Sequence, residues 1–137
     1  MYTYLHTRAR ENCFFIIYKE VRYEDRRNKT YLKKILEKEI EKRLRDGIKK
    51  TGGICYKWVS PGNSGVPDRI VILRSGELIF VELKTDSNTT KPNQKIQIQK
   101  LRDLNQRVTV LYGLSGVDNF LGLIKRHRLD LIENEMR

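Results

Sequence analysis

Two short apolar runs separated by a turn constrain the fold of this chain more than any other stretch of its sequence. The runs lie at 69–73 and 78–83, and the Ser-Gly pair between them is typical of a hairpin turn. Asp68 precedes the first run, and the second run carries Glu82 and leads into Lys84. Because side chains alternate along a strand, Glu82 and Lys84 share one face, and antiparallel pairing brings Asp68 beside Glu82. The sequence therefore predicts a hairpin with two carboxylates and an ammonium group at one end.

Length, hydropathy and charge limit the classes of protein to consider. The chain has 137 residues, which is enough for one domain with a single core. No apolar run approaches the roughly 20 residues of a membrane helix, and the first residues lack the features of a signal peptide. We therefore expect an intracellular, cytoplasmic protein with no membrane partner. A net charge of +11 favours a polyanionic partner, nucleic acid first, over a merely solubilising surface.

Cysteine and histidine are too few for most metal and nucleophile chemistry. Cys13 and Cys55 are the only cysteines, and His6 and His127 are the only histidines. A structural zinc site normally takes four such ligands at defined spacings, and two scattered thiols fit a reducing compartment. Neither histidine is close to the hairpin in sequence. Any catalysis is therefore expected to use carboxylates, lysine and a hard metal ion.

A long amphipathic helix precedes the hairpin. Apolar residues recur every four positions and predict about five helical turns from residue 31, namely Leu32, Leu36, Ile40, Leu44 and Ile48. Thr30 is the expected N-cap, and Gly52-Gly53 ends the helix. Glu37 and Glu41 flank the stripe. Glutamates there usually pair with lysines one turn away, but either one has the chemistry to face a metal.

The remaining stretches predict a mixed sheet flanked by helices. A strand at 54–59 is followed by a loop rich in turn formers at 60–65, which either approaches a ligand or simply joins two strands. Pro92 begins a helix that runs to about residue 105, with Ile98, Leu101 and Leu104 on its buried side. A strand at 107–112, a turn at 113–116 and a helix at 117–124 complete an α/β chain of order α-β-β-β-α-β-α. Residues 1–30 predict little beyond a short strand at 13–18. This segment is either an edge strand, a dimer contact or a loosely held arm.

The hairpin carboxylates suit magnesium chemistry. Mg²⁺ is commonly held by one or two carboxylates together with water and substrate phosphate oxygens, which Asp68 and Glu82 would allow. Lys84 would orient the attacking water or stabilise charge in the transition state of phosphodiester hydrolysis. A Glu-x-Lys tripeptide alone is more often a surface ion pair, and Pro-Asp is usually a turn. Their conjunction around an apolar hairpin in a basic chain is more informative.

The same residues resemble the PD-(D/E)-x-K nuclease superfamily, and within it the VRR-NUC family. The matching segments are Glu41 in the first helix, Tyr-Lys-Trp-Val-Ser-Pro-Gly at 56–62, Gly-Val-Pro-Asp-Arg at 65–69, Val-Glu-Leu-Lys at 81–84, and Gln94. The likeness covers about 36–121 and leaves out residues 1–30. It divides the chain into an N-terminal extension of unknown role at 1–30 and a nuclease domain at 31–137.

The resemblance implies a restriction endonuclease-like fold and metal-dependent cleavage of DNA. Asp68, Glu82 and the carbonyl of Leu83 would bind the metal, and Lys84 would be the catalytic lysine. Glu41 would join them directly or through water, with Glu37 as the alternative helix carboxylate, and Gln94 would line the cleft. The residues expected at the DNA are Lys57, Ser60, Gly62, Asn63, Ser64 and Arg69. The cofactor implied is Mg²⁺, for which Mn²⁺ is expected to substitute.

Short free-standing members of this family occur in bacteria and phages and resemble Holliday-junction resolvases. Such enzymes are homodimers, since two symmetric nicks need two like active sites. The resemblance therefore favours a structure-selective endonuclease acting on branched DNA in a bacterial or phage-infected cell. Two alternatives stay open at this point. One is a restriction-like or nicking nuclease of phage replication or packaging, and the other is a non-catalytic DNA-binding module.

Overall fold

The computed structural model describes residues 26–131, in which the helices and strands follow one another in the order that the sequence predicts. The strand candidate at 13–18 lies outside the described residues. The residues from Leu32 onward form one unit, and the sheet and its core belong to it. The elements are α1 (Arg26–Lys50), β1 (Ile54–Lys57), β2 (Arg69–Ile72), β3 (Leu78–Lys84), α2 (Pro92–Asp103), β4 (Arg107–Tyr112), α3 (Gly113–Lys125) and a 3-10 turn, Leu129–Leu131.

The four strands form one mixed sheet in the order β1-β2-β3-β4. β1, β2 and β3 are antiparallel neighbours, and β4 runs parallel to β3 after the crossover through α2. The β2–β3 register pairs Arg69 with Val81, so that the residues just beyond this pair, Asp68 and Glu82, lie across from each other. The predicted α/β class with a mixed sheet and flanking helices is confirmed.

The main core lies on one face of the sheet, under α1 and α3. Val71, Ile79 and Val81 alternate with the residues of the opposite face, as the period of two in a strand requires. Helix α1 buries Ile40, Leu44 and Ile48, and α3 buries Val117, Phe120, Leu121, Leu123 and Ile124 against them. Gly47 lets the two helices approach, because a Cβ there would lie 2.3 Å from Leu121 Cδ1. The predicted apolar stripe of α1 is therefore confirmed for its last three residues, Ile40, Leu44 and Ile48.

The opposite face of the sheet is covered differently. Helix α2 packs against β4, and Ile98 and Val108 are buried there, outside the main core. The two faces thus have separate helical cover, α1 and α3 on one and α2 on the other. In the described range, none of the helices combines the length and the apolar character needed to cross a membrane.

Several element boundaries differ from the sequence predictions; β1, for example, ends at Lys57 and not at residue 59. Helix α1 starts at Arg26 and therefore includes Thr30, which is not its N-cap, because no helix-breaking residue separates 26 from 30. Helix α3 starts at Gly113, where a turn was predicted, since Leu114 packs on the core and extends the apolar period of α3 by one turn. Leu104 is 69% exposed instead of buried, because α2 ends at Asp103 and the next residue leaves the helix.

Candidate active site

The end of the β2–β3 hairpin brings Asp68, Glu82 and Lys84 into one cavity of about 220 Å³. Asp68 Oδ2 accepts a hydrogen bond of 3.0 Å from the backbone N–H of Leu83, which ties the first carboxylate to the neighbouring strand. The ammonium nitrogen of Lys84 lies 2.5 Å from Glu82 Oε1. The two strands therefore place a carboxylate pair and a lysine at the same spot because alternation and antiparallel register leave these groups adjacent.

Gln94 closes the cavity from the first turn of α2. Pro92 occupies the first position of that helix, and the Gln94 side chain accepts a hydrogen bond of 3.0 Å from the N–H of Lys91, as a residue of a capping box does. The same oxygen accepts a 2.9 Å bond from Lys84, and the amide nitrogen donates a 2.5 Å bond to Glu82 Oε1. The cap of α2 thus fixes the orientation of the amide between the acid and the base.

Glu82 is the most deeply buried charge of the site. Its side chain is 1% exposed, and Oε2 has no hydrogen-bond partner among the residues that the structure describes. Burial raises the pKa of the Glu82 carboxyl, the charge of Asp68 adds to the rise, and the Lys84 ammonium opposes it. An unpaired oxygen on a buried carboxylate is unfavourable unless a cation or a donor meets it.

The α1 carboxylates reach the same cavity from the other side. Glu37 and Glu41 both line it, but the Glu41 carboxylate is paired with the guanidinium of Arg69. The Arg69 side chain is only 10% exposed, because residue 69 points to the sheet face that α1 covers. Arg69 is therefore engaged with Glu41 and largely buried, and its predicted contact with DNA stays a prediction. The sequence pattern did not reveal this pair, since its members are 28 positions apart.

The carboxylates of the cavity fit Mg²⁺ better than a metal ion that needs three or more protein side chains as ligands. Between residues 26 and 131 there is no group of three or more His, Cys, Asp or Glu able to hold a metal ion. Asp68 and Glu82 form a pair, and Glu41 does not complete it into a three-carboxylate site, so direct ligation by Glu41 is not supported. Mg²⁺ typically takes one or two carboxylates and completes its shell with water or phosphate oxygens. The unpaired Glu82 Oε2 supplies the buried lone pairs for such an ion.

The loop at 60–65 is anchored beside α2. Asn63 donates from its side chain to Ser60 Oγ at 3.1 Å, which closes the turn, and Lys57, Gly62 and Ser64 are exposed nearby. Gly65 has φ +88 and lies so close to α2 that a Cβ would come within 2.8 Å of the Asn93 carbonyl group. This loop therefore contacts the turn that carries Gln94 instead of merely joining β1 to β2.

Two residues of the cavity were not predicted from the sequence. Thr85 and Asn88 line it, and the N–H of Asn88 donates to the Thr85 carbonyl at 3.0 Å. The only signal was their position in the polar stretch directly after Lys84. A larger cavity of about 750 Å³ lies between α2, β4 and α3, but Asp86 is the one acid in its lining, so it lacks a carboxylate pair.

Comparison with known proteins agrees with this arrangement. Residues 8–114 match the model of the VRR-NUC domain. A curated relative named "Putative nuclease p44", from Acyrthosiphon pisum secondary endosymbiont phage 1, is 47% identical over 77 residues, which is 56% of this chain and 83% of that protein. A solved "VRR_NUC domain" structure is 30% identical with a TM-score of 0.59, covering 65% of this chain and 94% of the other.

A second solved structure, "VRR_NUC domain protein", is 21% identical with a TM-score of 0.50, covers 66% of this chain and 86% of that one, and supports the fold alone. The family match extends over residues 8–114, more than half of the chain and upstream of the motifs compared above. The hairpin carboxylates, the lysine and the family match agree, and the chain belongs to the VRR-NUC family of nucleases.

Proposed function

We propose that this nuclease is a Mg²⁺-dependent, structure-selective DNA endonuclease that resolves four-way junctions as a homodimer. The observation that carries the chemical part is the buried Glu82 carboxylate, whose Oε2 has no partner among residues 26–131 while Asp68 lies across the hairpin from it. A protein does not normally bury such an oxygen without a partner. A divalent cation would satisfy this oxygen and would supply Lewis-acid chemistry for phosphodiester hydrolysis.

Asp68, Glu82 and the carbonyl of Leu83 would hold the ion. When bound, Mg²⁺ lowers the pKa of a bound water and offsets negative charge on the phosphoryl oxygens. Asp68 is held toward the site by the N–H of Leu83, and Glu82 is held by Gln94 and Lys84. These contacts keep both carboxylates in place before substrate arrives, which is the preorganisation that lowers a barrier.

Lys84 is the side chain that would face the reacting phosphate. Its side chain is 11% exposed, and its ammonium is held between Glu82 Oε1 and Gln94 Oε1, so it has little conformational freedom to lose. A fixed ammonium at a desolvated site stabilises negative charge that develops on the phosphate or on the attacking oxygen. Gln94 positions this ammonium and does not itself need to touch the substrate.

DNA is the proposed substrate because the chain is strongly basic and the family chemistry is nucleolytic. The net charge is +11, and phosphate contacts supply most of non-specific nucleic-acid affinity. Lys57 and the exposed part of the loop at 60–65 lie beside the turn that carries Gln94. Four-way junctions are proposed because paired, symmetric nicks suit a two-fold dimer of a small nuclease.

Cleavage of matched substrates tests this proposal. Labelled four-way junction, flap and linear duplex are incubated with the protein in Mg²⁺, in Mn²⁺ and in chelator, and the oligomer is sized by sedimentation. We expect symmetric nicks in the junction that need the metal and that disappear in Asp68→Asn and Lys84→Ala. Asp103→Asn, an exposed acid on the far end of α2, is the control and should cut normally.

Each part of the proposal has its own contrary outcome. Cutting in chelator, or full activity of Asp68→Asn, would refute the metal chemistry. Sequence-specific cleavage of duplex, with the junction cut no faster, would make the protein restriction-like or a nicking nuclease. Salt-sensitive DNA binding without any scission would identify a non-catalytic binding module. A monomer at working concentration would remove the symmetric mechanism.

A further inference from the structure

The sheet face that carries the carboxylates also carries aromatic side chains. They lie on the part of this face that the described helices do not cover. Tyr56, Ile70 and Phe80 are paired across β1, β2 and β3 and therefore lie in one row on the same face. The Trp58 ring packs on Phe80 with centroids 5.0 Å apart at 41°. We call Tyr56, Trp58 and Phe80 the aromatic face.

This face is separate from the main core. None of its three rings belongs to the core cluster, and Tyr56 is 57% exposed. The next row, Ile54, Ile72 and Leu78, continues it with apolar side chains, of which Ile54 is 47% exposed. Helix α2 packs against β4, at the other edge of the sheet from Tyr56 on β1.

The aromatic face is continuous with the carboxylates. Phe80 and Glu82 are two residues apart in β3 and point to the same side, about 7 Å from each other along the strand. The N–H of Trp58 donates to the carbonyl of Asp68 at 2.9 Å, so β1 pairs with β2 as far as the first carboxylate. Two stacked nucleotides span about the same 7 Å, because each adds about 3.4 Å per strand.

From these contacts we propose that the aromatic face binds unpaired bases of the DNA strand whose phosphate lies at the carboxylates. The inference rests on the proposed function and adds that, at the branch point, the bases next to the cleaved bond are unpaired when the strand lies in the site. An aromatic ring stacks on a base only where the base has an uncovered face, which a continuous duplex does not offer. Aliphatic residues alone would bury area without this preference.

Charge favours a nucleic acid over a second copy as the occupant. Lys57 is exposed on the edge strand, but it pairs with Arg69 and therefore points to the opposite face of the sheet from Tyr56 and Trp58, so the charge that favours DNA here is that of the whole chain. A chain with net charge +11 attracts a polyanion more than it attracts an equally basic second copy, so a strand of DNA is favoured at this face.

The single tryptophan makes the proposal directly measurable. Trp58 is the only tryptophan of the chain, so its fluorescence reports on this face alone. Full-length protein in chelator, where no metal-dependent cutting occurs, is titrated with oligothymidylate of about 16 nucleotides and with a duplex of equal length. We expect the single strand to quench Trp58 and the duplex to bind with little quenching.

Variants of Tyr56 separate stacking from simple contact area, with anisotropy of labelled DNA as the readout. Tyr56→Leu should weaken single-strand binding by about 5- to 150-fold, the range for losing one stacked base, while Tyr56→Phe binds as the native protein does. Duplex binding should stay within about twofold, because it rests on phosphates. Leu104→Ala, another exposed apolar residue, is the control and should change neither.

The outcomes distinguish this inference from the proposed function. Native single-strand affinity in Tyr56→Leu, or Trp58 fluorescence unaffected by single strands, would overturn it. Fluorescence that changes with protein concentration alone, together with a dimer lost in Tyr56→Leu, would assign the face to a second copy. Ring-dependent single-strand binding without scission of any DNA in Mg²⁺ would support the aromatic face and refute the nuclease chemistry proposed for this site.

Discussion

A methyl group added at Gly65 tests whether the loop at 60–65 holds the active-site turn in place. A Cβ at Gly65 would lie 2.8 Å from the carbonyl carbon and oxygen of Asn93 and 2.9 Å from the backbone nitrogen of Gln94. Ordinary contact begins at 3.4 Å, so the loop and α2 must separate by about 3.4 − 2.8 = 0.6 Å. Backbone atoms cannot rotate away as side chains do, and the shift falls on the turn that carries Gln94.

Gly62 provides a matched control for the backbone conformation. It has φ +81 against +88 for Gly65, but a Cβ at Gly62 would meet nothing within 4 Å. Left-handed strain of about 1–2 kcal/mol is therefore common to Gly62→Ala and Gly65→Ala. Overpacking adds about 1–3 kcal/mol at Gly65 alone. At roughly 4 °C per kcal/mol for a chain of this size, Gly65→Ala should melt about 4–12 °C below Gly62→Ala.

Activity should respond in the same order. A displacement of about 1 Å at a catalytic group can cost about 100-fold in rate, so a 0.6 Å shift near Gln94 should lower kcat by about tenfold in Gly65→Ala. Thermal melts by circular dichroism and Mg²⁺-dependent cleavage are measured on both variants at a temperature where both are folded. Equal melting temperatures, or equal kcat, would refute the argument that the loop is fitted against α2.

Three further predictions concern the carboxylates. Saturating Mg²⁺ should raise the free energy of unfolding by about 2.7 kcal/mol at a concentration of 100 Kd, and Asp68→Asn should lose this gain in a thermal melt. The bidentate contact of Arg43 at 2.8 Å lowers the pKa of Asp118, so its stabilisation is present above the usual aspartate pKa and lost as the pH falls through the lowered value. Both groups are about half exposed, so Asp118→Asn should cost only about 0.2–1 kcal/mol near neutral pH, with no difference from the native protein in acid urea titrations. Glu41→Ala should lower the free energy of unfolding by about 1–3 kcal/mol. This is less than the roughly 3–5 kcal/mol for breaking a fully buried pair, because the Glu41 side chain is 39% exposed. Adding Arg69→Met in a double-mutant cycle should recover most of that loss.

The hairpin and its register were predictable because they depend on local patterns. Alternation of apolar residues, a Ser-Gly turn and the position of Asp68 before the first strand determine which side chains share a face. Gln94 was also within reach, since Pro92 marks the first turn of a helix and the third position of that turn points back at the cap. These signals all act over a few residues.

The Glu41–Arg69 pair was not predictable for the opposite reason. Which α1 face meets the sheet depends on packing between elements, and a residue that follows Pro-Asp carries no local mark of burial. Arg69 was expected at the DNA because the resemblance to the family implied it. Its pairing with Glu41 depends on how α1 packs against the sheet, which local sequence patterns do not determine.

The burial of Glu82 supports the proposal that this end of the hairpin is a ligand site and not only a structural ion pair. A hairpin of this kind is most stable with an apolar residue at position 82, as at its neighbours Val81 and Leu83. Instead the chain keeps a carboxylate there, surrounds one oxygen with Lys84 and Gln94, and leaves the other without a partner in the part of the chain that the structure describes. Structural pairing would have satisfied both oxygens. The asymmetry is what a ligand site requires, because the oxygen left unpaired by the protein is the one that a cation can use.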